Sequence, residues 1–350
     1  MSGTPLTLAP EALSAFAAGL LEAGGFSPAD AKKSADLLVW ANQRGVDSHG
    51  VLRIPRYVEM VGLGLINPAA EPKVVNEWGA VALIDAGLAP GASAMEQVTD
   101  KAIEIAGRLG GGFCVGRNVT HAGAVGYFAH RIAARGLVGI VMTASKPLMA
   151  YPGARGEVVS SNPLAIAAPS EVAGEPIVLD MSTAAVALGQ VLAARDAGRT
   201  IPEGWGIDSA GRPTTDPAAV QALTPMAGAK GAGLSLMIEV LCSLLAGNPL
   251  IAPALSGAAP AGFNGFVAAI DPGAFGSREH FLGDVHGLAA AIHGLPPAEG
   301  TQAVLLPGER GRRTAETRRS GIPLARGTSS KLKELATRLG VTIPEALQAA

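Results

Sequence analysis

The sequence predicts a mixed α/β protein with a helical N-terminal region. In residues 9–61 apolar side chains recur at the spacing of helices. After Pro68, short apolar runs of strand length alternate with helical stretches, a pattern typical of a sheet with flanking helices. The chain contains no Gly-x-Gly-x-x-Gly turn, so the doubly wound parallel sheet that usually accompanies that turn has no motif support.

Three helices are expected before the sheet begins. The first occupies residues 9–23 and ends at the glycine pair that follows. The dipeptide Ser27-Pro28 predicts the start of the second, because serine caps free backbone N–H groups and proline is favoured at the first helical position. This helix should run to about Asn42, and a third is expected over residues 53–61.

Seven short apolar runs bounded by turn residues are predicted to form the sheet. They lie at residues 74–75, 81–85, 112–115, 138–142, 164–167, 176–180 and 265–270. Helices are expected between several of them, at residues 92–109, 123–135, 183–197 and 234–245. A proline-containing stretch, 250–262, is expected to form a surface loop, and residues 329–347 a capped terminal helix.

Composition narrows the class of protein. Of 350 residues 48% are hydrophobic but only 4% aromatic, so Ala, Val, Leu and Ile should fill the core, and the length favours two lobes. The formal charge of −2 gives no reason to expect nucleic acid or an anionic membrane as a partner. The first residues lack a signal-peptide pattern and no apolar run has the roughly 18 residues of a membrane span, so we expect a cytoplasmic protein.

One short stretch, residues 44–57, concentrates reactive side chains. It places Ser48, His49 and Arg53 around two glycines. Because His49 and Arg53 are four residues apart, a helical backbone would put them on one face. An imidazole can transfer a proton near neutral pH, and a guanidinium fork can hold a carboxylate. This combination suits the reduction of a 2-oxo acid, whereas a surface ion pair at Arg53 and a helix cap at His49 is the non-functional alternative.

Three glycine-containing stretches could hold a nucleotide. The first two run into predicted helices, whose starts favour anions, and the third is predicted to be a loop. One contains His121 within residues 118–126, the second contains Lys230 within residues 228–233, and the third is the basic stretch 307–313. The non-functional alternatives are, in the same order, a polar loop, a flexible turn with a solvated lysine and a solvated basic loop. Asp180, at the end of a predicted strand, could orient a histidine, accept from a nucleotide or cap a helix.

Metal and hydrolase chemistry find little support. The six histidines are scattered along the chain without a His-Glu-x-x-His pattern. Ser48 and His49 are adjacent in sequence, and no Gly-x-Ser-x-Gly turn occurs. Cys114 and Cys242 both sit among apolar neighbours and are expected to be buried, without a disulfide or a metal between them.

Taken in order, the motifs resemble the malate/L-lactate dehydrogenase family of the non-Rossmann type. This family includes L-sulfolactate and ureidoglycolate dehydrogenases, 2,3-diketogulonate reductase and Δ1-piperideine-2-carboxylate reductase. The matching stretches span nearly the whole chain: Asp47-Ser-His-Gly50 with Arg53, His121-Ala-Gly-x-x-Gly126, Ser161-Asn-Pro163, Leu179-Asp-Met-Ser-Thr183, Ile201-Pro-x-Gly-Trp205, Gly211-Arg-Pro-Thr-Thr-Asp216, Lys230-Gly-x-Gly-Leu234, Asp271-Pro272 and Leu306-Pro-Gly-Glu309.

The resemblance implies a role for each matching position. His49 would be the general acid or base with Ser48 beside it, Arg53 would hold the substrate carboxylate, and in part of the family the histidine matching His121 is the proposed proton acceptor. The cofactor would be contacted by the following residues: His121, Ala122, Gly123, Ala124, Val125, Ser145, Leu179, Asp180, Met181, Lys230, Gly308, Glu309 and Arg310. The last three would close over it.

The resemblance also implies an architecture, a cofactor and a partner. The fold would be L-sulfolactate dehydrogenase-like, with a mixed or mostly antiparallel sheet, flanking helices and a homodimeric assembly. Residues 1–75 with 325–350 would form a helical substrate-binding and dimerisation region, and residues 76–324 the region that binds NAD or NADP. No metal site is implied.

The predicted activity is hydride transfer between NAD(P)(H) and C2 of a small 2-hydroxy or 2-oxo acid. An alternative in the same scaffold is reduction of a cyclic 2-imino acid. The imine reductases of the family carry His-Gly-Asp where this chain has Leu188-Gly189-Gln190, so the extra carboxylate is absent here. A non-catalytic binding protein that keeps the fold is a third reading.

Overall fold

The computed structural model describes residues 6–170, 175–259 and 262–348, and none of their helices is long and apolar enough to cross a membrane. The N-terminal elements are β1 (Leu6–Leu8), α1 (Pro10–Ala23), α2 (Pro28–Gln43) and α3 (Ile54–Gly62). The next are β2 (Lys73–Trp78), β3 (Val81–Asp85), α4 (Gly91–Leu109), β4 (Gly111–Val119), α5 (Gly126–Ala133), β5 (Val138–Ala144), β6 (Leu164–Ala168), β7 (Ile177–Met181) and α6 (Leu188–Asp196). The last are β8 (Gly206–Ile207), β9 (Pro213–Thr214), β10 (Ala222–Leu223), α7 (Ala229–Glu239), α8 (Ile251–Leu255), β11 (Phe263–Ile270), α9 (Arg278–His293), α10 (Glu309–Thr317), β12 (Ile322–Leu324), α11 (Arg326–Leu339) and α12 (Glu345–Gln348).

Seven strands form one mixed sheet in the order β2-β3-β4-β11-β5-β6-β7. Only β3 and β4 run parallel, and α4 makes the crossover that a parallel pair requires. The other neighbouring pairs in this sheet are antiparallel. These strands coincide with the seven predicted apolar runs, so the mixed, mostly antiparallel sheet is confirmed.

The N-terminal helices begin where the capping signals predicted. The hydroxyl of Ser27 accepts from the backbone N–H of Asp30 at 3.2 Å, and Pro28 opens α2. Leu13 of α1 and Leu37 of α2 belong to the same buried apolar cluster as Ile84 of β3. The helical region and the sheet therefore share one core, which aliphatic side chains dominate as the composition predicted.

The C-terminal part of the described chain returns to the N-terminal helices. Strand β12 pairs antiparallel with β1, and α11 packs against α1 and α3. Leu335 and Leu347 are buried in the main apolar cluster. Helix α11 is thereby fixed to α3, and α12 packs against β1.

Several local predictions were wrong. The expected loop at 250–262 contains the short helix α8, and the single terminal helix expected over 329–347 is two, because Gly340 adopts φ +71° and ends α11. The basic stretch 307–313 is not a loop, since α10 begins at Glu309. Helix α6 starts five residues later than expected, at Leu188. Helix α9 and the small sheet of β8, β9 and β10 were not predicted.

Candidate active site

The segment between α2 and α3 carries His49 and Arg53. It forms two successive 3₁₀ turns, Asp47–His49 and Val51–Arg53, separated by extended backbone at Gly50. The expectation that the two side chains share one helical face was therefore wrong, because the helical backbone is interrupted between them. They still belong to one site, since the positive charge of Arg53 contributes to the lowered pKa of His49.

Asn42, near the end of α2, holds this segment in place. Its amide oxygen accepts from the backbone N–H of Val51 at 2.8 Å, and its amide nitrogen donates to the carboxylate of Asp47 at 2.6 Å. Arg318, which follows α10, donates to both oxygens of the same carboxylate at 2.8 and 3.2 Å. A Cβ atom at Gly50 would lie 2.1 Å from the Asn42 amide oxygen, so this close approach requires glycine.

Two histidines from distant parts of the chain face each other. The rings of His49 and His121 are stacked with centroids 5.6 Å apart and an interplanar angle of 16°. The hydroxyl of Tyr57 lies 2.7 Å from Nδ1 of His121, and the backbone N–H of Gly123 donates to the same nitrogen at 3.3 Å. Phe263 meets the His121 ring edge-on at 5.6 Å. The fold thus brings His121, predicted from a separate loop, directly to His49.

Burial and charge keep both imidazoles neutral. Loss of solvent, followed by the charge of Arg53, lowers the pKa of His49 to about 4. The same burial, with the charges of Arg53 and His49, lowers the pKa of His121 well below its usual value. At neutral pH each ring therefore has an unprotonated nitrogen that can accept a hydrogen bond or a proton.

Arg53 presents its guanidinium to this site. Its Nε donates to the backbone oxygen of Ser48 at 2.7 Å, which fixes the side chain. The two terminal nitrogens have no partner among the residues that the structure describes, so the planar fork is available to an anion. The hydroxyl of Ser48 lies 3.0 Å from Nδ1 of His49 and orients that ring.

A pocket of about 490 Å³ lies next to the His49 segment, within the volume range of ligand-binding sites. Its walls come from residues 44–46, 175–180 and 306–312, with Trp40 and Thr314. Among the predicted cofactor residues it gathers Leu179, Asp180, Gly308, Glu309 and Arg310. Two groups of predicted residues, more than a hundred positions apart in sequence, therefore line one cavity.

The wall formed by Gly308 cannot carry a side chain. This residue has φ +88°, and a Cβ atom there would lie 2.8 Å from the backbone oxygen of Val178 in β7. The chain can lie against the strand at this point only because residue 308 is glycine. Helix α10 starts immediately afterwards, so its free N–H groups begin at the pocket wall. These features fit a dinucleotide whose phosphates approach the backbone.

Glu309 is buried and is used inside the protein. Its Oε2 accepts from the backbone N–H of Leu306 at 2.9 Å and lies 3.0 Å from Nε2 of His293. Burial alone would raise the pKa of this carboxyl, but the hydrogen bonds from Leu306 and His293 outweigh that effect and lower it. Glu309 therefore fixes the loop before α10, with its backbone at the pocket.

Three pocket residues had been given no role from sequence. The guanidinium of Arg44 lies 4.6 Å from the ring centroid of Trp40 and pairs with Glu175 at 2.8 Å. The spacing of Trp40 and Arg44, one helical turn apart, is a signal that could have indicated a cation over an aromatic ring. The partner Glu175 is 131 residues away, and no local pattern points to it.

Asp180 joins the pocket to the loop that carries His121. Its Oδ2 accepts from the backbone N–H of Gly126 at 3.0 Å, and a Cβ at Gly126 would lie 2.5 Å from that oxygen. The side chain is exposed to the pocket, yet the protein atoms around it desolvate the carboxyl and raise its pKa to about 6, despite the hydrogen bond from Gly126. The loop of residues 121–125 therefore ends against the pocket wall.

Ser145 lies outside the pocket lining, in a buried polar cluster. Its hydroxyl is 2.6 Å from that of Ser160, and its backbone N–H donates to Asn162 at 3.2 Å. Asn162 in turn donates to the backbone oxygen of Ser235 in α7 at 2.9 Å. The end of β5, which carries Ser145, is thus tied to α7.

Lys230 is an exposed residue in the first turn of α7, and no partner of its ammonium group occurs in the described part of the chain. The turn before α7 is joined to the segment after β7, since the backbone N–H of Met226 donates to the oxygen of Thr183 at 2.9 Å. Gly231 allows this approach, because its Cβ would lie 2.3 Å from the oxygen of Met226. Lys230 itself does not line the pocket.

Thiol and metal chemistry find no place at this site. Cys114 and Cys242 are buried and unpaired, as predicted, and burial raises the pKa of Cys114 to about 12. Within residues 6–170, 175–259 and 262–348 no group of three His, Cys, Asp or Glu side chains could hold a metal ion.

Over most of its length the chain is similar to proteins of known function. The family model described as malate/L-lactate dehydrogenase matches residues 8–333. L-sulfolactate dehydrogenase of Methanocaldococcus jannaschii is 33% identical over 349 residues, covering 98% of this chain and 100% of that protein. Malate dehydrogenase of Pyrococcus horikoshii is 35% identical over 342 residues, or 94% of each chain. A solved structure of malate dehydrogenase from the same organism superposes with a TM-score of 0.87 at 31% identity, covering 98% of this chain and 99% of that one. The predicted fold is confirmed.

Other relatives differ in the cofactor and reaction that their names give. Ureidoglycolate dehydrogenase (NAD(+)) of Escherichia coli is 36% identical over 279 residues, 79% of this chain and 80% of that protein. (2R)-3-sulfolactate dehydrogenase (NADP(+)) of Chromohalobacter salexigens is 33% identical over 327 residues, 91% and 92%. A Δ1-pyrroline-2-carboxylate/Δ1-piperideine-2-carboxylate reductase of Pseudomonas syringae is 32% identical over 322 residues, 89% and 91%.

We predict that Asp180→Asn removes a pH-dependent component of stability. The pKa of Asp180 is about 6 in the fold against 3.8 for a free carboxyl, so the folded state binds the proton more tightly. The advantage of wild type over the variant in free energy of unfolding should therefore be largest below about pH 4 and decline as the pH rises to about 6. Urea unfolding at several pH values measures it. Asp208→Asn, at a carboxyl whose pKa is lowered, should show no such decline; a difference independent of pH for Asp180→Asn would contradict the assignment.

Proposed function

The chain belongs to the malate/L-lactate dehydrogenase family and is an NAD(P)-dependent oxidoreductase, and from this premise we propose that it interconverts a small 2-hydroxy acid and its 2-oxo acid. The observation that carries the proposal is the stack of two neutral imidazoles, His49 and His121, beside the free fork of Arg53. A bound nicotinamide would supply or accept the hydride.

Arg53 would bind the carboxylate of the substrate. Its Nε is already held by Ser48, so little side-chain freedom is lost when the two terminal nitrogens engage two carboxylate oxygens. Anchoring the acid end in this way directs C2 and its oxygen toward the neighbouring imidazoles. Arg53 would thus select substrates that carry a carboxylate, while other residues would contact the substituent beyond C2.

His49 would transfer the proton at the substrate oxygen. In the oxidation of a hydroxy acid, a neutral imidazole with a pKa of about 4 can accept the proton. The charge of Arg53 is one reason for that low value, so a bound carboxylate that neutralises Arg53 would raise the pKa of His49 and make the protonated form accessible for reduction. Substrate binding and proton availability are coupled through Arg53.

The cofactor, NAD or NADP, would lie along the 490 Å³ pocket and the loop of residues 121–125. The glycine wall at residue 308 and the start of α10 support phosphate binding there, and Asp180 links pocket and loop. We assign contacts with the cofactor to the residues predicted from the resemblance: His121, Ala122, Gly123, Ala124, Val125, Ser145, Leu179, Asp180, Met181, Lys230, Gly308, Glu309 and Arg310.

We also propose a cytoplasmic homodimer, with the helical region 1–75 and 325–350 binding substrate and a second copy. Buried unpaired thiols favour a reducing compartment. Large apolar side chains on the surface favour a partner subunit. All six residues of β2, which crosses the boundary at residue 75, are exposed, and Trp78 just beyond that boundary is 82% exposed. The region 76–324 contains all of the proposed cofactor contacts.

A substrate panel tests the proposed activity. Cofactor absorbance would be followed with 2-oxo acids that carry neutral, carboxylate or sulfonate side chains and with cyclic 2-imino acids, each with NADH and with NADPH. We expect turnover of 2-oxo acids. Faster turnover of cyclic imines would select the alternative that the Pseudomonas syringae relative represents, and cofactor binding without turnover of any compound would indicate a non-catalytic protein.

Arg53→Lys should weaken binding of the acid more than it slows the reaction. Lysine keeps the charge but loses the bidentate fork, so KM for the 2-oxo acid should rise by about 10- to 100-fold. Initial-rate kinetics measure the change. Arg56→Lys, at an exposed residue paired with Glu59, is the matched control and should leave KM unchanged; an equal KM in both variants would contradict the carboxylate anchor.

His49→Ala should lower kcat more than it changes KM, the opposite of Arg53→Lys. Loss of a group that transfers the proton should lower kcat by about 100- to 10,000-fold, while KM for the acid changes little because Arg53 remains. The exposed His286 of α9 provides the control variant, His286→Ala, which should keep full activity. If kcat is unchanged in His49→Ala, this residue has no part in the reaction.

A further inference from the structure

Nδ1 of His121 faces two hydrogen-bond donors. The backbone N–H of Gly123 points at it from 3.3 Å, and a backbone N–H can only donate. The hydroxyl of Tyr57 lies 2.7 Å from the same nitrogen. Because Gly123 donates to Nδ1, that nitrogen carries no proton. The hydroxyl of Tyr57 lies closer to it than to its other acceptor, the backbone oxygen of His121 at 3.5 Å, and so donates to Nδ1 as well.

Both donors are held firmly in place. Tyr57 is buried in α3, and burial raises the pKa of its phenol above its ordinary value, so the hydroxyl keeps its proton. Gly123 turns its N–H back toward the ring by adopting φ +70°, and a Cβ there would lie 2.2 Å from a methyl carbon of Leu37. Both donors are therefore held in position beside Nδ1.

His121 consequently has one possible neutral tautomer. Burial and the nearby charges lower its pKa well below the usual value, so the ring carries a single ring proton at neutral pH. That proton must reside on Nε2, on the other side of the ring, where no partner occurs among the described residues. The pairing of Ser48 with Nδ1 of His49 differs, since a hydroxyl can donate or accept and leaves the tautomer of His49 free.

We propose that Tyr57 is a positioning residue which, with the backbone of Gly123, fixes His121 as the Nε2–H tautomer, so that His121 donates a hydrogen bond to the reacting oxygen and His49 alone transfers the proton. This inference rests on the proposed function. In the reduction, a bound reduced nicotinamide would supply hydride to C2. The C–O π pair would become a lone pair on oxygen, and that oxygen would take the proton of protonated His49. His121 keeps its own proton throughout.

The division of roles follows from what a neutral imidazole can do. An Nε2–H group stabilises negative charge that develops on the substrate oxygen, as neutral imidazoles do in other enzymes. It cannot accept the substrate proton at Nε2, because that position is already protonated. The histidine that matches the proton acceptor proposed for part of the family therefore acts here as a hydrogen-bond donor.

Nitrogen NMR of the wild-type protein tests the tautomer without measuring activity. With ¹⁵N-labelled histidine at pH 7, the His121 signals would be identified by their loss in His121→Gln. We expect Nδ1 to show the shift of an unprotonated ring nitrogen and Nε2 that of a protonated one. The reverse pattern, or a protonated ring, would overturn the inference whatever the activity of the enzyme.

Tyr57→Phe tests the positioning role. Losing one hydrogen bond to Nδ1 should lower the Nε2–H population and reduce kcat by about 5- to 10-fold, with KM for the acid within about twofold because Arg53 is untouched. Tyr127→Phe, which removes a hydroxyl bonded to Glu96, is the matched control and should alter neither the His121 signals nor kcat.

Unchanged kcat and His121 signals in Tyr57→Phe would overturn the proposal. Wild type with the expected tautomer but no turnover of any 2-oxo acid would overturn the proposed function instead.

Discussion

The geometry of the site depends on one buried amide. Asn42 uses both ends of its side chain, accepting from Val51 and donating to Asp47, and so fixes the residues on either side of His49. This bridge is possible only because Gly50 passes the amide without a side chain. Arg318 completes it from the far end of α10, the helix whose first residue lines the pocket. The reactive segment is therefore held between the helix that delivers it and the helix that starts at the proposed cofactor site.

Electrostatics explain why the site places two histidines and an arginine together. Three cationic groups in one desolvated volume would repel one another, and the lowered pKa values of His49 and His121 leave both imidazoles neutral beside the guanidinium of Arg53. The site therefore holds the one positive charge of Arg53, and no carboxylate among the described residues pairs with its terminal nitrogens. An anionic substrate is the natural counter-charge, and its arrival changes the proton affinity of both rings.

Much of the fold follows from local sequence, because strands and helix starts are local properties. The seven strands and the capped start of α2 needed only apolar runs, turn residues and Ser27-Pro28. The site is less local. His49 and Arg53 were identified by chemistry and spacing, but the helix expected to align them does not form, since the close approach at Gly50 breaks it. Tyr57, Glu175 and Arg318 acquire their partners at separations of 64, 131 and 271 residues, which no window of sequence reveals.

The absence of the usual dinucleotide turn is explained by where this fold places its glycines. In a Rossmann unit three closely spaced glycines let one loop approach the phosphates. Here single glycines from separate segments each permit one close approach: Gly308 against β7, Gly126 against Asp180 and Gly123 against Leu37. Two of these approaches place backbone beside the pocket strand, and the third turns an N–H onto His121. Because the approaches are distributed over the chain, they leave no compact motif. The same backbone that would cradle a cofactor also donates to Nδ1 of His121, on which the proposed tautomer depends.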